Sequence, residues 1–331
     1  DVAMHPDFQG QGMGTLLMES TVKWMLDQGY DISRLMGKIS FYRRFGYTTV
    51  GNPFFRVKPT EQQPGMPSPD CTLRPMQPGD IEAVARIFEE TYAGYSMVAQ
   101  RDPEYWQWLI RYRNLFRTDG TGAALKWIAE SADRTVGYGF AEKTPSGIRV
   151  QELGALPGHD VALVALLQRY GAVAENGADF DLHIPMDTRF RAALSESGLV
   201  YTVSEDEECR GRYLVLNPQQ ISAKLCALLK KRQAEAGQTG GDVNAGLELE
   251  CERGTFAYTA HCESAAAARN EPTQPLRAVL DQGDMLRLVF GAPGFSKLGL
   301  AFRLDLREKH AAVMQALFPS LPHFWSPMEF F

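Results

Sequence analysis

Near its beginning, the chain carries three glycines at alternate positions, Gly10, Gly12 and Gly14, in the stretch VAMHPDFQGQGMGTLLME. The apolar residues before them are typical of the end of a buried strand, and apolar residues at helical spacing begin at Met13. Glycines between a strand and a helix let an anion approach the backbone, where the helix N-terminus presents unpaired N–H groups. The spacing therefore predicts a phosphate-binding loop, with a plain tight turn as the alternative.

Three phosphate-binding motifs compete for this loop. A Walker loop needs Gly-Lys-Ser/Thr, but Thr15 directly follows Gly14. A dinucleotide fingerprint needs a glycine three residues after Gly12, and Thr15 occupies that position. The third motif, Gln/Arg-x-x-Gly-x-Gly, binds the pyrophosphate of coenzyme A, and Gln9, Gly12 and Gly14 satisfy it. The hexamer alone is only suggestive, and its position between a strand and a helix strengthens it.

A second motif follows about thirty residues later, in the segment KISFYRRFGY from Lys38 to Tyr47. Together the two segments resemble motif A and the tyrosine-bearing short helix of the GNAT acyl-CoA N-acyltransferases. The resemblance implies direct acetyl transfer from acetyl-CoA to an amine, with Tyr42 beside the thioester sulfur as general acid. A phenol with an ordinary pKa of about 10 can protonate the thiolate of a thiol whose pKa is about 8.5. From the sequence alone, a core tyrosine is the alternative.

The same resemblance assigns residues to acetyl-CoA. The strand before the loop pairs with the pantetheine arm, the loop holds the pyrophosphate, and the start of the short helix adds a second contact. The predicted coenzyme-binding residues are Val2, Ala3, Met4, Gln9, Gly10, Gln11, Gly12, Met13, Gly14, Thr15, Gly37 and Lys38. For Lys38, a solvated surface charge is an equal alternative.

The composition sets wider limits. A chain of 331 residues is expected to form two or three domains rather than one core. A net charge of −6 without a Lys/Arg run disfavours nucleic acid as a partner. The five cysteines are odd in number and lack a Cys-x-x-Cys pair, which is typical of reduced thiols in a cytoplasmic protein. We expect no membrane segment and, because the six histidines are scattered, no metal site.

Three regions follow from the patterning. Residues 1–57 hold both motifs, and the proline-rich residues 58–70 predict a linker. Residues 71–211 predict the order strand, helix, hairpin, strand, helix, with Asp80 as the N-cap of the first helix. This order resembles a second GNAT domain, but its loop LPGHDVAL lacks the coenzyme motif. We interpret the region as a degenerate GNAT domain, with an unrelated α+β domain as the alternative.

Residues 212–331 predict an α+β domain. A helix begins at Pro218, a hairpin turns at Arg253–Gly254, and a last helix ends before Pro319. The stretches 285–291 (MLRLVFG) and 300–306 (LAFRLDL) suggest further short strands. A sheet capped by helices resembles the sterol carrier protein fold, which is weak evidence alone.

Across essentially the whole chain, the order of these regions resembles the enhanced intracellular survival (Eis) acetyltransferases. The expected fold class is therefore α/β and α+β: tandem GNAT domains, the second degenerate, followed by a sterol-carrier-protein-like domain. The resemblance implies a homo-hexamer that acetylates small-molecule amines such as aminoglycosides, other polyamines or lysine-type amines. A GNAT domain has further strands and helices before motif A, so we expect the sequence to lack the first half of that domain.

The chain ends in HFWSPMEFF, which is more apolar than a frayed terminus usually is, so we expect it to insert into a cleft. In the Eis family, the terminal carboxylate acts as the base for the attacking amine, and here it belongs to Phe331. A free α-carboxylate has a pKa of about 3.5, so burial or a water relay would have to assist it. It could also hold the cationic amine by charge, or the tail could pack without taking part in the chemistry.

Two other functions stay open at this stage. A lipid-binding or scaffold protein could use the third region and keep a vestigial GNAT part. An N-myristoyltransferase-like enzyme also pairs two GNAT folds. A vestigial GNAT part is disfavoured because Gln9, Gly12, Gly14 and Tyr42 are all intact. The sterol-carrier-like end of the chain disfavours the myristoyltransferase.

Overall fold

The computed structural model describes residues 5–50, 54–58, 71–112, 115, 125–145, 147–174, 179–204, 211–238, 246–258, 275–291, 299 and 308–329. The first part of the chain forms α1 (Met13–Asp27), β1 (Ile32–Leu35), α2 (Ile39–Tyr42) and β2 (Thr48–Val50). The middle part forms β3 (Phe54–Lys58), β4 (Thr72–Pro75), α3 (Ile81–Thr91), α4 (Pro103–Tyr112), β5 (Lys126–Ser131), β6 (Arg134–Thr144), β7 (Gly147–Ala155), α5 (Asp160–Val173), β8 (Phe180–Leu182), α6 (Thr188–Glu196) and β9 (Val200–Ser204). The last part forms β10 (Gly211–Val215), α7 (Pro218–Gln238), β11 (Leu247–Cys251), β12 (Gly254–Tyr258), β13 (Leu276–Val279), α8 (Gln282–Phe290) and α9 (Glu308–Leu317).

The chain divides into two compact units, and each is built from two separate stretches. Unit 1 comprises Asp1–Gly51 and Glu208–Leu321, and unit 2 comprises Asn52–Glu207 and Pro322–Phe331. The division predicted from the sequence, at 1–57, 58–70, 71–211 and 212–331, stays a prediction about domains, since the units describe only which residues pack together.

Unit 2 is centred on a seven-stranded sheet in the order β4-β5-β6-β7-β8-β3-β9. All neighbouring strands are antiparallel except β7 and β8. These two pair only at Arg149↔Asp181 and Val150↔Leu182, so β7 continues without β8 beside it from about Glu152 onward. The predicted order of strand, helix, hairpin, strand and helix is confirmed by β4, α3, β5–β6, β7 and α5.

Unit 1 holds two three-stranded sheets, in the orders β1-β10-β2 and β12-β11-β13. Helix α8 packs on the first sheet, where the Gln282 Oε1 atom accepts from Val215 N at 3.2 Å and Arg287 donates to the Thr49 carbonyl at 3.1 Å. Helix α7 packs on β12, and α9 packs on α7. The GNAT-like motifs and the last helices therefore share one packed unit, although more than 230 residues separate Tyr47 from Gln282 in sequence.

A strand arrangement recurs in the two units. In unit 1, β10 is inserted between β1 and β2, which are consecutive strands joined through α2. In unit 2, β3 is inserted between β8 and β9, which are consecutive strands joined through α6. In both groups the inserted strand is antiparallel to its two neighbours and comes from a distant part of the sequence.

One detail of the sequence interpretation is wrong, and a second is confirmed in position only. The segment 285–291 is not a strand but part of α8, because Asp281 accepts from Asp284 N at 2.8 Å as its N-cap and Gly291 ends it at φ +65°. Asp80 is the N-cap residue of α3, as predicted, but its side chain makes no capping hydrogen bond to that helix. Its carboxylate instead accepts from Gln77 N at 2.7 Å and from Arg74.

The other predictions for the last region agree with the described residues to within one position. Helix α7 begins at Pro218 and α9 ends at Leu317, as predicted, while the hairpin turns at Glu252–Arg253, one residue before the predicted Arg253–Gly254. The predicted strand at 300–306 and most of the predicted linker 58–70 lie outside the described residues.

Candidate functional site

The loop before α1 takes a shape that requires glycine at two positions. Gly10 and Gly12 have φ values of +76° and +77°, in the left-handed region. A Cβ on either one would meet no heavy atom of the described residues within 4 Å, so among these residues the space above both glycines is open. Gly14 differs, because its φ is ordinary and a Cβ there would lie 3.5 Å from the Phe41 ring.

This loop has features that suit an anion. Gly12 is the N-cap of α1, and its carbonyl accepts from the amides of Thr15 at 2.9 Å and Leu16 at 3.1 Å. The start of a helix carries partial positive charge and amides that the helix itself does not use. The Gln11 Nε2 atom donates to the Asp7 carbonyl at 2.9 Å, and this hydrogen bond links two parts of the same loop. The open space lies over backbone that can donate to phosphate oxygens.

A short helix, α2, follows β1 and carries the predicted acid. Lys38 precedes it and is exposed, and its carbonyl accepts from the amides of Phe41 and Tyr42. Gly37 has a φ of +146°, and its carbonyl accepts from the buried Arg212 Nε at 3.0 Å. Arg212 on β10 thus fixes the start of the short helix. No sequence signal could have identified it, since it lies 175 positions from Gly37.

The ring of Tyr42 is half-buried at the end of α2. It contacts Phe41 edge-on at 5.0 Å and Tyr47 at 5.8 Å between ring centroids. It packs against a small core formed by Met18, Val22, Phe45, Tyr47, Leu214 and Leu216. The ring is held by packing from α1, α2 and β10, which keeps its orientation fixed.

Tyr47 provides a contrast with its neighbour. Its side chain is 2% exposed, and its hydroxyl shares a 2.7 Å hydrogen bond with Ser33 Oγ. Burial raises the pKa of Tyr47, although the hydrogen bond with Ser33 opposes the shift. Tyr47 is therefore a core residue with a partner inside unit 1, whereas Tyr42 lies at the edge of the same core.

The structure brings together most of the site residues predicted from the sequence. Gly14 of the loop faces the Phe41 ring, Phe41 contacts Tyr42, and Tyr42 covers Gly37. The glycine loop and the tyrosine helix are thus neighbours through Phe41. The predicted residues Val2, Ala3, Met4 and Phe331 lie outside the described residues.

Residues 1–49 are similar to one known protein family. They carry the loop and the short helix described above, and the family model that they match is that of the acetyltransferase (GNAT) domain. Residues 1–49 thus match the GNAT acetyltransferase domain family. No curated protein sequence matches the chain.

Solved GNAT structures resemble the whole chain. A GCN5-related N-acetyltransferase from Anabaena variabilis ATCC 29413 is 17% identical with a TM-score of 0.60, and a probable N-acyltransferase from Enterococcus faecalis V583 is 16% identical with a TM-score of 0.62. Eis1 from Mycobacterium abscessus is 16% identical with a TM-score of 0.61. Each comparison covers 100% of this chain and 80% of the other. At these identities the likeness establishes a mixed α/β, GNAT-like fold.

Unit 2 contains a strand, loop and helix that look similar to the GNAT loop but differ in their polar contacts. Gly158 has a φ of +79° and open space around it, like Gly12. However, Asp160 places a carboxylate in the first turn of α5, and Arg189 donates to it at 2.7 Å. Arg189 also donates to the carbonyls of Ala155 at 2.9 Å and Leu156 at 3.1 Å. A phosphate at this helix start would meet a carboxylate and an arginine that is already paired.

The outer edge of β7 in unit 2 is also satisfied from within. The Thr91 hydroxyl bonds to both the amide and the carbonyl of Ala155 at 3.0 Å. The Tyr92 hydroxyl donates to the Leu153 carbonyl at 2.6 Å. These backbone groups lie in the part of β7 that does not pair with β8. Their hydrogen-bond partners are therefore side chains of α3 and its C-cap residue instead of a neighbouring strand.

Two features are absent from the described part of the chain. In that part, no three His, Cys, Asp or Glu side chains lie close enough together to hold a metal ion. The helices described there are also too short or too polar to cross a membrane.

Proposed function

We propose that the protein is an acetyl-CoA-dependent N-acetyltransferase of small-molecule amines. The observation that carries this proposal is the open glycine loop at the start of α1, within the segment that matches the GNAT family. Two left-handed glycines with free space above them, at the start of a helix, suit a backbone that a phosphate approaches closely.

The loop residues hold acetyl-CoA in this proposal. Amides of the segment 10–14 bind the pyrophosphate, Thr15 lies beside it with its own amide bonded to the Gly12 carbonyl, and Gln9 lies at the mouth of the loop. The backbone of residues 2–4 pairs with the pantetheine arm, while Gly37 and Lys38 add a contact at the start of α2. When bound, acetyl-CoA supplies an acetyl group activated as a thioester.

Two groups of the chain move protons in this mechanism. The amine nitrogen attacks the carbonyl carbon, the carbon–sulfur bond breaks, and the Tyr42 hydroxyl donates its proton to the departing sulfur. The terminal carboxylate of Phe331 takes the proton that the amine loses, directly or through a water. No covalent enzyme intermediate is needed. The half-buried position of Tyr42 beside the loop supports its role.

The acceptor and the assembly are proposed from the resemblance to the Eis acetyltransferases. We infer an aminoglycoside, another polyamine or a lysine-type amine as acceptor, and a cytoplasmic homo-hexamer. The strand arrangement that recurs in β1-β10-β2 and β8-β3-β9 supports two GNAT domains in tandem. The helices and the second sheet of unit 1 are proposed as the sterol-carrier-like domain.

Binding and turnover together test the function. Calorimetry with acetyl-CoA should give one site per chain, and release of coenzyme A should depend on an added amine from a panel of aminoglycosides, polyamines and lysine peptides. A thermal shift with fatty acids or sterols but none with acetyl-CoA would instead support a lipid-binding protein. That outcome would contradict the proposal.

A further inference from the structure

A hydrogen bond from a distant strand holds the short linker between β1 and α2. The Arg212 Nε atom on β10 donates to the Gly37 carbonyl at 3.0 Å, and Arg212 is only 4% exposed. Strand β1 pairs with β10 as far as Leu35↔Arg212, so Gly37 lies two residues beyond the last backbone pair. Among the described residues, this bond is the one hydrogen bond that Gly37 makes. The Arg212 side chain therefore attaches the chain to β10 past the point where backbone pairing ends.

Gly37 needs such a restraint because glycine has more backbone freedom than any other residue. Its φ of +146° is one of several conformations that a glycine can adopt at little cost. A carbonyl that accepts from a charged guanidinium forms a stronger hydrogen bond than one that accepts from a neutral amide. The bond with Arg212 thus selects one conformation of Gly37 and fixes the direction in which α2 begins.

The ring of Tyr42 lies directly against this glycine. A Cβ on Gly37 would be 2.5 Å from the Tyr42 Cε2 atom, so the ring touches the Gly37 backbone. Its other contacts are aromatic, with Phe41 at 5.0 Å and Tyr47 at 5.8 Å between ring centroids. Within the described part of the chain, the Tyr42 hydroxyl makes no hydrogen bond that would hold the ring in place. A shift of Gly37 would therefore move the ring.

Strand β10 also contributes to the packing around Tyr42. Side chains alternate along a strand, so Arg212 and Leu214 share one face of β10. Leu214 is fully buried and belongs to the small core on which Tyr42 packs. Tyr213 lies on the opposite face, where its hydroxyl accepts from the Arg34 Nε atom at 3.1 Å. The face that carries Arg212 is thus the one that supports Tyr42.

We propose that Arg212 is a positioning residue for acetyl transfer, because its bond to Gly37 holds the Tyr42 ring where the hydroxyl can protonate the departing sulfur. This inference rests on the proposed function, in which Tyr42 is the general acid. Arg212 touches neither acetyl-CoA nor the amine in this proposal, and it acts only through Gly37. All three residues belong to unit 1.

Two variants weaken the bond from its two ends. Arg212→Lys keeps the positive charge but replaces the planar guanidinium and its Nε donor by a terminal ammonium. A backbone ester between Gly37 and Lys38 makes the Gly37 carbonyl a weaker acceptor and leaves every side chain in place. Tyr213→Phe is the matched control, because it removes the neighbouring side-chain bond between β10 and β1 and keeps the ring packing against Phe290 at 5.5 Å.

Hydrogen exchange measures the restraint without reference to activity. The amides of Phe41 and Tyr42 donate to the Lys38 carbonyl at 3.0 and 3.3 Å, so they report on the first turn of α2. Their exchange should be about tenfold faster in Arg212→Lys and in the ester variant than in wild type or Tyr213→Phe. Equal exchange rates in all four proteins would show that the bond does not hold the start of the helix.

Turnover measures whether the restraint acts through Tyr42. Arg212→Lys should lower kcat by about 10–100-fold, because a small displacement of a catalytic group can cost this much, and should change acetyl-CoA affinity far less. In a Tyr42→Phe background the same substitution should have almost no further effect, since the acid that Arg212 positions is already absent. A merely structural role would lower kcat equally in both backgrounds and would overturn the inference.

The remaining outcomes are also decisive. Faster exchange with unchanged kcat in Arg212→Lys would show that turnover does not need the restraint, and the positioning role would be wrong. If Tyr42→Phe alone keeps wild-type turnover, the proposed mechanism fails and the positioning role fails with it, while the exchange rates still measure the bond to Gly37. If Arg212→Lys does not fold, the ester variant, which retains Arg212, gives both readouts.

Discussion

Gly37 and Tyr42 fit together so closely that no side chain is possible between them. A Cβ on Gly37 would lie 2.5 Å from the Tyr42 Cε2 atom, much closer than carbon atoms approach in proteins. The φ of +146° at Gly37 excludes other residues for a second reason, since L-residues with a side chain rarely adopt it. Gly37, two residues before the start of α2, therefore leaves the space that the Tyr42 ring occupies, and this ring belongs to the residue that we propose as the general acid.

Gly37→Ala should displace the Tyr42 ring and lower kcat by more than tenfold. Its strained backbone should also cost about 1–3 kcal/mol of stability. Gly94→Ala is the matched control, because Gly94 has a φ of +81° but open space around it. Both variants should lose stability in thermal unfolding, and only Gly37→Ala should lose turnover. Equal activity in the two variants would mean that the ring position is unimportant.

Tyr42→Phe should lower kcat by about 10²–10⁴-fold and leave acetyl-CoA affinity nearly unchanged, because the ring packing is kept and only the acid is lost. Tyr47→Phe is the control, as it removes a hydroxyl from the same core. It should cost about 1 kcal/mol through the lost bond with Ser33 and leave turnover intact. Turnover of Tyr42→Phe within about threefold of wild type would exclude Tyr42 as the acid.

Gly12→Asp should abolish acetyl-CoA binding in calorimetry. The added carboxylate would lie in the open space above the loop and repel the pyrophosphate. Gly158→Asp makes the same change at the matching position of unit 2, where φ is +79° and the space is also open. It should leave the affinity and the single site unchanged. A loss of binding in Gly158→Asp, or two sites in the wild type, would show that unit 2 binds the coenzyme.

Stability at low pH should depend on Asp80. The hydrogen bond from Arg74 lowers the pKa of Asp80, with a smaller contribution from the amide of Gln77, although burial opposes it. A carboxyl whose pKa is lowered in the folded state stabilises the protein above its unfolded pKa of about 3.9, and this contribution is lost as the pH falls further.

Asp80→Asn should therefore reduce the free energy of unfolding by about 1 kcal/mol at pH 7, and the difference from wild type should shrink below about pH 4. Glu142→Gln serves as the comparison, since its ion pair with Arg149 is exposed and 3.4 Å long and should contribute little at any pH. Denaturant unfolding at several pH values measures both. A difference that stays constant down to pH 3 would exclude the carboxylate as its source.

Local signals predicted much of the candidate site. The glycine spacing indicated the loop because left-handed φ values require glycine, and helical spacing indicated α1. The tyrosine segment indicated α2 through its resemblance to the GNAT motif. These features depend on residues within one turn or one helix, so a local pattern is enough to find them.

Contacts between distant segments could not be predicted in the same way. The insertion of β10 between β1 and β2, which brings Arg212 to Gly37, depends on strand pairing across about 160 residues. The misassigned segment 285–291 shows a related limit, because a short apolar run suits a buried helix as well as a strand. In this segment the helix is favoured by its N-cap, Asp281, which lies four positions before the apolar run.

The terminal carboxylate gives the last prediction. Two alanines appended after Phe331 move the carboxylate but keep every side chain of the tail. If that carboxylate is the base, kcat should fall at least tenfold, while acetyl-CoA affinity and thermal stability stay unchanged. Phe331→Leu is the control, because it changes the side chain and keeps the carboxylate at its position, so it should retain most of its activity. Wild-type turnover in a folded, correctly assembled extended variant would remove the carboxylate from the mechanism. The opposite pattern, with Phe331→Leu inactive and the extended variant active, would assign the role of the terminus to the ring instead.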